Sequence, residues 1–510
     1  MSQTISNSAV VQQIADAVAV DPKVKGELYA RYLETTAGIN NAFEGFTSDV
    51  NPKTAINGGV RSIFARKTDL KAGGFDTVNF QVLGPPGGPG VMGSQTLTNN
   101  TSSSILATYQ VRVGWHRDGF FLDKETIEFL AAGRSLIQTT LDLLAQKMGI
   151  LRQNHQMMRL IKSATSLNTY RPNNKASTDA LLPTDTLSLV AATSGRARLS
   201  TIGGQPIFQR FGPNGSPVKG YLIFASDMAM LNIRNDDSYQ VALAQGDTRG
   251  ADENANFTGE LVKWNGMPWY EQPSVDLPWD DYIGSPLLPK AKINTAFSTA
   301  SSAANCKLEV NSQNTKSLYF QFFKGYDYKF TQDQASNSDS GTYYAWAINP
   351  DGSVVFLSYT GSNNNGNTIL VKNILSPNGA GTSTKGAATV GQLTAGSTSG
   401  NWFGTGSNLP TSWTYADSVQ AGAVIIQANA KGTQIGYGFT FGAMASCFAY
   451  GRVQMNMIEQ ELDFGWAKGS GYETIFGTGV TLNPLKQPVG YLLQEYAIEH
   501  EGYPTPALSA

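Results

Sequence analysis

The longest regular pattern of apolar residues runs from Asp123 to about Thr165 and contains no proline. Apolar residues recur at heptad spacing on two tracks, which together predict one long amphipathic helix with a broad buried face. The tracks are Leu130, Ile137, Leu144, Leu151 and Met158, and Phe129, Leu136, Leu143, Ile150 and Met157. A helix of about 40 residues is on the order of 60 Å long, so we expect it to lie along something extended. A coiled coil or an ordinary bundle helix is the alternative.

The N-terminus of this helix and the residues on its two faces allow further predictions. Asp123 is placed to act as the N-cap, where a carboxylate accepts from free backbone N–H groups and favours the helix dipole. The face opposite the apolar stripe is polar but not basic, so it is no nucleic-acid reading surface. It carries Glu128, Thr139, Gln146 and Gln153. His155 falls on the apolar side, where a buried core or interface histidine is the expected role.

Residues 62–121 show the two-residue alternation of a long β-hairpin. Val78, Phe80 and Val82 alternate with polar residues on the outgoing strand. The return strand places six apolar residues on one face, namely Ile105, Ala107, Tyr109, Val111, Val113 and Trp115. An isolated two-stranded ribbon is marginal in water, so we expect another copy of the chain to cover this one.

A compact α/β pattern follows the helix. Tyr221 to Ala225 predicts a buried strand, and Ser226 with Asp227 predicts the cap of a helix ending near Arg234. Asn265 and Gly266 form a hairpin signal between two short apolar runs. Near the C-terminus, Tyr491 to His500 predicts a last strand. Apolar residues in the preceding segment fit a helix, namely Phe441, Met444, Ala445 and Phe448.

Residues 293–431 differ from their flanks because they contain no stretch of helical period. Tyr326, Tyr328 and Phe330 alternate with charged residues, and residues 349–352 read as a type I turn between two strands. The α/β character resumes at Thr433. The pattern therefore predicts an all-β domain inserted into a host domain. Its aromatic residues are expected mainly in the core, although exposed aromatics that stack on sugars are the alternative.

Composition and charge narrow the function classes. The formal net charge of 510 residues is -2 and only 15% of residues are charged, so global charge indicates neither nucleic acid nor an anionic membrane as partner. The two cysteines indicate no disulfide framework. The N-terminus lacks the features of a signal peptide, and no apolar run is long enough to cross a bilayer. We therefore expect synthesis in the cytoplasm and no membrane partner.

Several fragments imitate catalytic motifs without their required context. Gly88, Gly90 and Gly93 form a GxGxxG motif, but a strand rather than a helix is predicted next. Residues 116–118 and 463–465 spell the HRD and DFG fragments of kinases, with no room for the lysine strand between the glycine loop and the first. The three histidines are scattered, and no Cys/His cluster has zinc spacing. We expect no catalytic, cofactor-binding or metal-binding residues, no cofactor, and no enzymatic activity.

Three short segments resemble parts of the N4-like family of tailed-phage major capsid proteins, which have the HK97-like fold. The first runs from Asn256 to Leu261, reading NFTGEL, and continues through Trp264 and Met267 to Glu271. Trp264 departs from the tyrosine of that family's pattern. The others are residues 441–445, FGAMA, and residues 463–465, DFG.

The resemblance implies an α+β capsid fold with five parts. These are an N-terminal arm at 1–61, an extended β-hairpin loop at 62–121, a peripheral domain with the spine helix at 122–184 and 486–510, an axial domain at 185–292 and 432–485, and the β-rich insertion at 293–431. It also implies a structural protein that self-assembles into the icosahedral shell of a phage virion, in the host cytoplasm. The alternative is a surface adhesin or glycan-binding protein that acts through the insertion.

The partners implied are many copies of the chain in pentamers and hexamers, with scaffolding, decoration and portal proteins as further candidates. Packaged DNA would lie close without specific contacts. A shell subunit needs large lateral surfaces with little charge, because weak contacts repeated by symmetry supply its stability. The low charge of this chain fits that requirement.

Overall fold

The computed structural model has a mixed α+β fold in which strands predominate. It describes residues 36–37, 41, 43, 46–49, 62–67, 77–83, 91–94, 96, 106–123, 133–211, 217–246, 267–272, 285–288, 290–292, 297–298, 306–309, 342–350, 354–360, 368–376, 414–415, 418–419, 423–429, 432–450, 456–462, 466–483 and 485–498. None of the helices in these ranges has the length and hydropathy needed to span a membrane.

Four α-helices are described: α1 Gly133–Ser163, α2 Leu189–Thr201, α3 Asp227–Arg234 and α4 Asp237–Gly246. The strands up to the predicted insertion are β1 Thr47–Asp49, β2 Phe64–Lys67, β3 Thr77–Leu83, β4 Leu106–Arg112, β5 Gly114–Asp123, β6 Thr169–Tyr170, β7 Phe208–Phe211, β8 Pro217–Gly220, β9 Leu222–Ser226, β10 Trp269–Gln272 and β11 Lys290–Lys292. The remaining strands are β12 Phe297–Ser298, β13 Cys306–Glu309, β14 Thr342–Ile348, β15 Val354–Thr360, β16 Thr368–Ser376, β17 Thr414–Tyr415, β18 Ser418–Val419, β19 Val424–Ala428, β20 Ile435–Phe441, β21 Ser446–Tyr450, β22 Asn456–Leu462, β23 Ala467–Val480 and β24 Tyr491–Ala497.

The chain divides into two compact units. The first consists of Met1–Arg159 and Met444–Gln487, and the second of Leu160–Ala443 and Pro488–Ala510. The domain limits predicted from the resemblance differ from this division. Residues 444–485, expected in the axial domain, belong with the long helix, whereas the last strand, expected with that helix, belongs to the second unit.

The first unit is a six-stranded sheet packed against α1. Its order is β1-β2-β21-β23-β22, with β5 also paired to β23. The long strand β23 is central because β5 follows one of its edges from residue 467 to 476, while β22 and then β21 follow the other. Met444 adopts a positive φ of 59° at the turn that leads into β21. The helix predicted over 441–448 is therefore wrong: Phe441 ends β20, Phe448 lies in β21, and Met444 and Ala445 lie in the turn between them.

The long helix is confirmed over Gly133–Ser163. The part that the sequence predicts before Gly133 lies outside the described residues. Asp123, predicted as its N-cap, is the last residue of β5. Leu144 and Leu151 are buried as predicted, but Leu143 is 43% exposed and Gln153 is buried. The buried arc is thus shifted toward positions that the heptad pattern assigned to solvent, and from residue 148 to 158 every side chain is buried.

The hairpin is confirmed as an antiparallel pair of seven residues, β3 with β4. Its apolar face is covered by its own unit, because Val78, Phe80 and Val111 are at most 3% exposed. Val111 lies over Gly479 of β23, where an added Cβ would collide with it, and the Tyr109 hydroxyl lies 3.3 Å from Thr481 Oγ1. The prediction that a neighbouring copy must cover these strands is therefore wrong. The predicted return strand also breaks at Val113, because Trp115 belongs to β5 and pairs with β23.

The second unit is built on a five-stranded sheet of order β10-β9-β20-β24-β6. The predicted buried strand is β9, and the predicted helix is α3, where Ser226 Oγ accepts a hydrogen bond from the Ala229 backbone N–H at 3.3 Å. The predicted last strand is β24, whose seven residues are all buried between β20 and β6. Helices α2 and α3 pack on this sheet through a core that includes Leu199, Met230 and Ile233.

A seven-stranded sheet of order β11-β19-β14-β15-β16-β13, with β17 beside β16, contains the described strands of the predicted insertion other than β12 and β18. The strands on either side of the predicted turn, β14 and β15, pair in register from Ile348 with Val354, while residues 351–353 lie outside the described residues. The sheet also continues into flanking residues, since β11 precedes residue 293 and Trp346 Nε1 donates to the Gly432 carbonyl at 2.6 Å.

Some predictions fall outside the described residues. They are most of the arm, the strand before Asn265, the aromatic alternation at 326–330, the DFG fragment at 463–465, and most of the GxGxxG segment.

Candidate interaction surface

One face of the β5–β23 pair, which we call the outer face, exposes two large aromatic side chains. Trp115 is 60% and Phe121 is 54% exposed, although both lie within a regular strand. Successive residues of a strand point to opposite faces, so these two share a side with Arg117 and Gly119. The two aromatics lie about 20 Å apart along the strand, at about 3.3 Å per residue, and make this face a candidate interaction surface.

The cross-strand neighbours of the outer face add little net charge. Trp115 lies opposite Ile475, and Arg117 lies opposite Glu473, so the one cation is matched by one anion across the strands. Gly119 lies opposite Gly471, and Phe121 lies over Gly469, where an added Cβ would collide with its ring. The outer face is therefore a neutral strip with an aromatic residue near each end and a shallow glycine section between them.

The other face of the same strands is held by α1. Lys147 Nζ pairs with Asp118 Oδ2 at 2.6 Å, which fixes the helix to β5. Arg152 is buried, with its guanidinium carbon 5.1 Å from the centre of the Tyr450 ring and 5.7 Å from that of Phe476. A cation over aromatic faces is attracted by their negative quadrupole, which helps to offset the loss of water around this buried charge. The rigid helix therefore fixes the strands that present the outer face.

His155 occupies the centre of this helix–sheet contact, as a buried histidine of the kind that the sequence predicts. Its ring packs edge-on against Phe476, with centroids 5.7 Å apart. Burial lowers the pKa of His155 well below its ordinary value, and nearby His116 lowers it further. The cations Arg152 and Arg159 lie on the same helix one turn to either side. The folded unit therefore keeps His155 neutral.

We expect the first unit to lose stability in acid because of His155. A folded pKa below the unfolded value means that the unfolded chain binds this proton first, so stability is present above about pH 6.5 and is lost as the pH falls below it. One such group changes the free energy of unfolding by at most about 1.4 kcal/mol per pH unit. Urea unfolding of the monomer at pH 7.5, 6.0 and 5.0 measures the slope, and the His155→Gln variant should reduce it. An unchanged slope in that variant would assign the acid sensitivity to other groups.

Of the fragments that imitate kinase motifs, only residues 116–118 lie entirely in the described part of the chain. His116 and Asp118 lie on β5, on the side of α1, where Asp118 is held by Lys147. Within the described ranges no group of His, Cys, Asp and Glu residues is arranged to hold a metal ion. Cys447 is buried on β21, and burial raises the pKa of its thiol to about 12, so it is a packing residue rather than a nucleophile.

Among the described aromatics of the inserted sheet, Trp346 and Phe356 are buried and Tyr344 is half-buried. Trp346 is buried, its ring centroid is 4.7 Å from that of Phe356, and Tyr344 stacks on Phe356 at 5.9 Å. The interpretation of these residues as core is confirmed for this part of the insertion. They form no exposed platform of the kind that stacks on sugar rings.

Solved phage capsids are similar to this chain. The capsid of cyanophage Pam1 is 10% identical and matches 88% of this chain and 95% of that chain, with a TM-score of 0.49. The head structure of the Helicobacter pylori bacteriophage KHP40 is 11% identical over 90% and 91% of the two chains, with a TM-score of 0.49. The capsid of Ralstonia phage GP4 is 12% identical over 88% and 90%, with a TM-score of 0.44. No family model and no curated protein matches the chain.

The sequence pattern alone did not single out the outer face. The alternation predicts Trp115 on the apolar face of the hairpin, because it shares the period of Tyr109 and Val111. A signal was nevertheless present. In residues 115–121 the odd positions read Trp, Arg, Gly, Phe, so two aromatics share a face with a charged residue, which is unusual for a face packed in a core.

Proposed function

We propose that this protein is the major capsid protein of a tailed phage and that its copies assemble into the icosahedral shell around the genome. The observation that carries the proposal is the outer face of the first unit. There a sheet fastened to a long helix presents Trp115 and Phe121 to solvent. A monomeric role gives no reason to hold these aromatics rigidly outside the core.

The geometry supports self-assembly rather than capture of a charged ligand. Arg117 and Glu473 balance each other, and the chain as a whole has a formal net charge of -2, so copies do not strongly repel one another. A contact of modest size is sufficient in a closed shell, because each copy makes several such contacts and symmetry repeats them. In this proposal the long helix is the spine of the HK97-like arrangement, and residues 293–431 form an inserted domain.

The rest of the proposal follows from the shell role. The partners are other copies of the chain in pentamers and hexamers, with scaffolding, decoration and portal proteins as further partners. The genome lies against the shell without base-specific contacts. The protein acts in the virion, is assembled in the host cytoplasm, and performs a structural rather than an enzymatic role. The NFTGEL segment at 256–261 and Glu271 match the N4-like pattern and point to that narrower family.

Electron microscopy of the purified chain tests the function directly. We expect closed particles or regular rings of capsomers, either from the chain alone or after co-expression with the neighbouring genes of its source. Analytical ultracentrifugation of the same samples measures the fraction in assemblies. A chain that stays monomeric in every condition, with no particle in any micrograph, would contradict the proposal.

The Trp115→Ser/Phe121→Ser double variant tests the surface that carries the proposal. Because both side chains are exposed in the subunit, we expect a melting temperature close to that of the wild-type monomer and a loss of particles of at least about tenfold. The matched control is Val190→Ser/Val241→Ser, which removes two exposed apolar residues from helices of the second unit. Normal assembly of the aromatic variant, or an equal loss of particles in the control, would show that the outer face is not an assembly contact.

The adhesin alternative needs exposed aromatic or polar groups on the insertion. The described aromatics Tyr344, Trp346 and Phe356 instead pack against one another in the sheet. Nothing in the described part of the insertion favours glycan binding over a structural role.

A further inference from the structure

Within the described part of the first unit, β5 forms an edge of the sheet. Among the strands that the structure describes, it pairs only with β23, through all ten residues from Gly114 to Asp123. One side of its backbone ladder is therefore satisfied by β23. The side away from β23 presents alternate N–H and C=O groups over about 30 Å, at a rise of about 3.3 Å per residue.

The features that protect long edge strands from pairing are scarce in β5. Natural sheets block such edges with proline, charged side chains such as lysine, bulges or very short strands. Of these features, β5 carries only charges, at Arg117, Asp118 and Asp123. The sequence of β5 is GWHRDGFFLD, with neither proline nor lysine, and its pairing with β23 is continuous without a register shift. One local group is engaged, because the Gly119 backbone N–H donates to Asp118 Oδ1 at 2.9 Å. The rest of the edge is suited to accept another strand.

The strand is complementary to a second copy of itself in antiparallel orientation. With a two-fold axis through Asp118, Trp115 lies opposite Phe121 of the second copy at both ends, and Arg117 lies opposite Gly119. Cross-strand aromatic pairs are stabilising, and each aromatic would cover the exposed ring of the other. Shifting the axis to Arg117 would instead place two arginines opposite each other, which is destabilising. Shifting it to Gly119 would leave Trp115 opposite Asp123.

Charges on the side of α1 are compatible with the same register. The two copies of Asp118 would face each other across the axis, and like charges there would repel. Each carboxylate is, however, already paired with Lys147 at 2.6 Å within its own subunit. Two neutral ion pairs therefore meet at the axis, and His116 lies opposite Phe120 of the second copy.

We propose that the free edge of β5 pairs with β5 of a second copy, in this register, to form one continuous sheet across two subunits. The contact is isologous, as expected for a two-fold axis between copies. The backbone ladder supplies affinity and the Trp115–Phe121 pairs fix the register. This inference rests on the proposed function, because it specifies which neighbour in the shell occupies the aromatic outer face and how.

A mixed-cysteine experiment tests the pairing. Arg117→Cys and Gly119→Cys are made separately in a background where Cys306 and Cys447 are replaced by Ala, and the two proteins are mixed, assembled and oxidised. Directly opposed residues fall within the Cα separation that a disulfide needs, whereas identical positions are diagonal to each other. We expect on the order of tenfold more covalent dimer in the mixture than in either variant alone. Mass spectrometry should identify the 117–119 peptide.

The control mixture combines Arg117→Cys with Leu485→Cys, since Leu485 is exposed in the same unit but lies outside β5. A dimer specific to the first mixture supports the pairing. Particles that assemble without it overturn the pairing and leave the shell function standing. A chain that forms neither particles nor dimer contradicts both. Equal dimer in the two mixtures shows random collision and also overturns the pairing.

Discussion

The Leu144→Asp variant is expected to leave the first unit unfolded. Leu144 is only 7% exposed on the face of α1 that packs against the sheet, so the substitution places a carboxylate in an apolar site. A buried charge with no partner costs several kcal/mol, which is comparable with the whole stability of a typical domain. We expect insoluble protein, or soluble protein with greatly reduced helical signal by circular dichroism.

The adjacent residue offers a matched control. Leu143 lies one position earlier on the same helix but is 43% exposed, so Leu143→Asp adds the same charge where water can reach it. We expect a change within about 1 kcal/mol in the free energy of unfolding by urea. Similar behaviour of the two variants, in either direction, would contradict the placement of the buried arc on α1.

The same pair of leucines shows what local pattern can predict. Heptad spacing identified the helix and placed both Leu143 and Leu144 in its stripe, because the two tracks lie about 100° apart around the axis. The width of the stripe depends on what packs against it. In the structure Gln153 is buried as well, because strands of the sheet cover a position that an isolated helix would expose. The heptad pattern does not show which strands of the sheet pack against the helix.

The partners of β5 and β23 could not be predicted for a related reason. Residues 114–123 pair with 467–476, which are more than 300 positions later in the chain. Two-residue alternation identifies a strand but not its neighbour, so the pattern favours the nearest strand in sequence as the partner. The same limit explains why the predicted domain limits near the C-terminus differ from the two units. There β23 and β24 are close in sequence but pair in different sheets.

Local chemistry was decisive where a few adjacent residues fix the backbone. Ser226 caps α3 as predicted, and the strands on either side of residues 349–352 pair as an antiparallel hairpin. The failure at 441–448 has the opposite cause. Apolar residues at 441, 444, 445 and 448 fit a helix period. Met444, with a φ of 59°, instead lies in a turn between two strands. A non-glycine residue in this conformation is uncommon, and nothing adjacent to Met444 signals it.

The Arg171→Met variant is expected to lose about 3–5 kcal/mol of stability in the second unit. Arg171 Nε lies 2.7 Å from Glu495 Oε2, and the side chains are 18% and 7% exposed. Thr178 Oγ1 donates to the same carboxylate oxygen at 2.8 Å, and the guanidinium also donates to the Ala176 carbonyl at 3.1 Å. Methionine fills similar space but leaves the carboxylate of Glu495, on the buried strand β24, without its cation. Urea unfolding at neutral pH measures the loss.

The exposed pair Arg234–Glu271 provides the control, with an Nη2–Oε2 distance of 2.9 Å and side chains 42% and 36% exposed. Its distance resembles that of the buried pair, so Arg234→Met separates the effect of burial from that of the contact, and we expect a change of at most about 1 kcal/mol. Adding Glu495→Gln to Arg171→Met should recover a large part of the loss, because the double variant removes the uncompensated charge. If the double variant is as unstable as Arg171→Met, the loss comes from the hydrogen bonds of the guanidinium rather than from the charge left on β24.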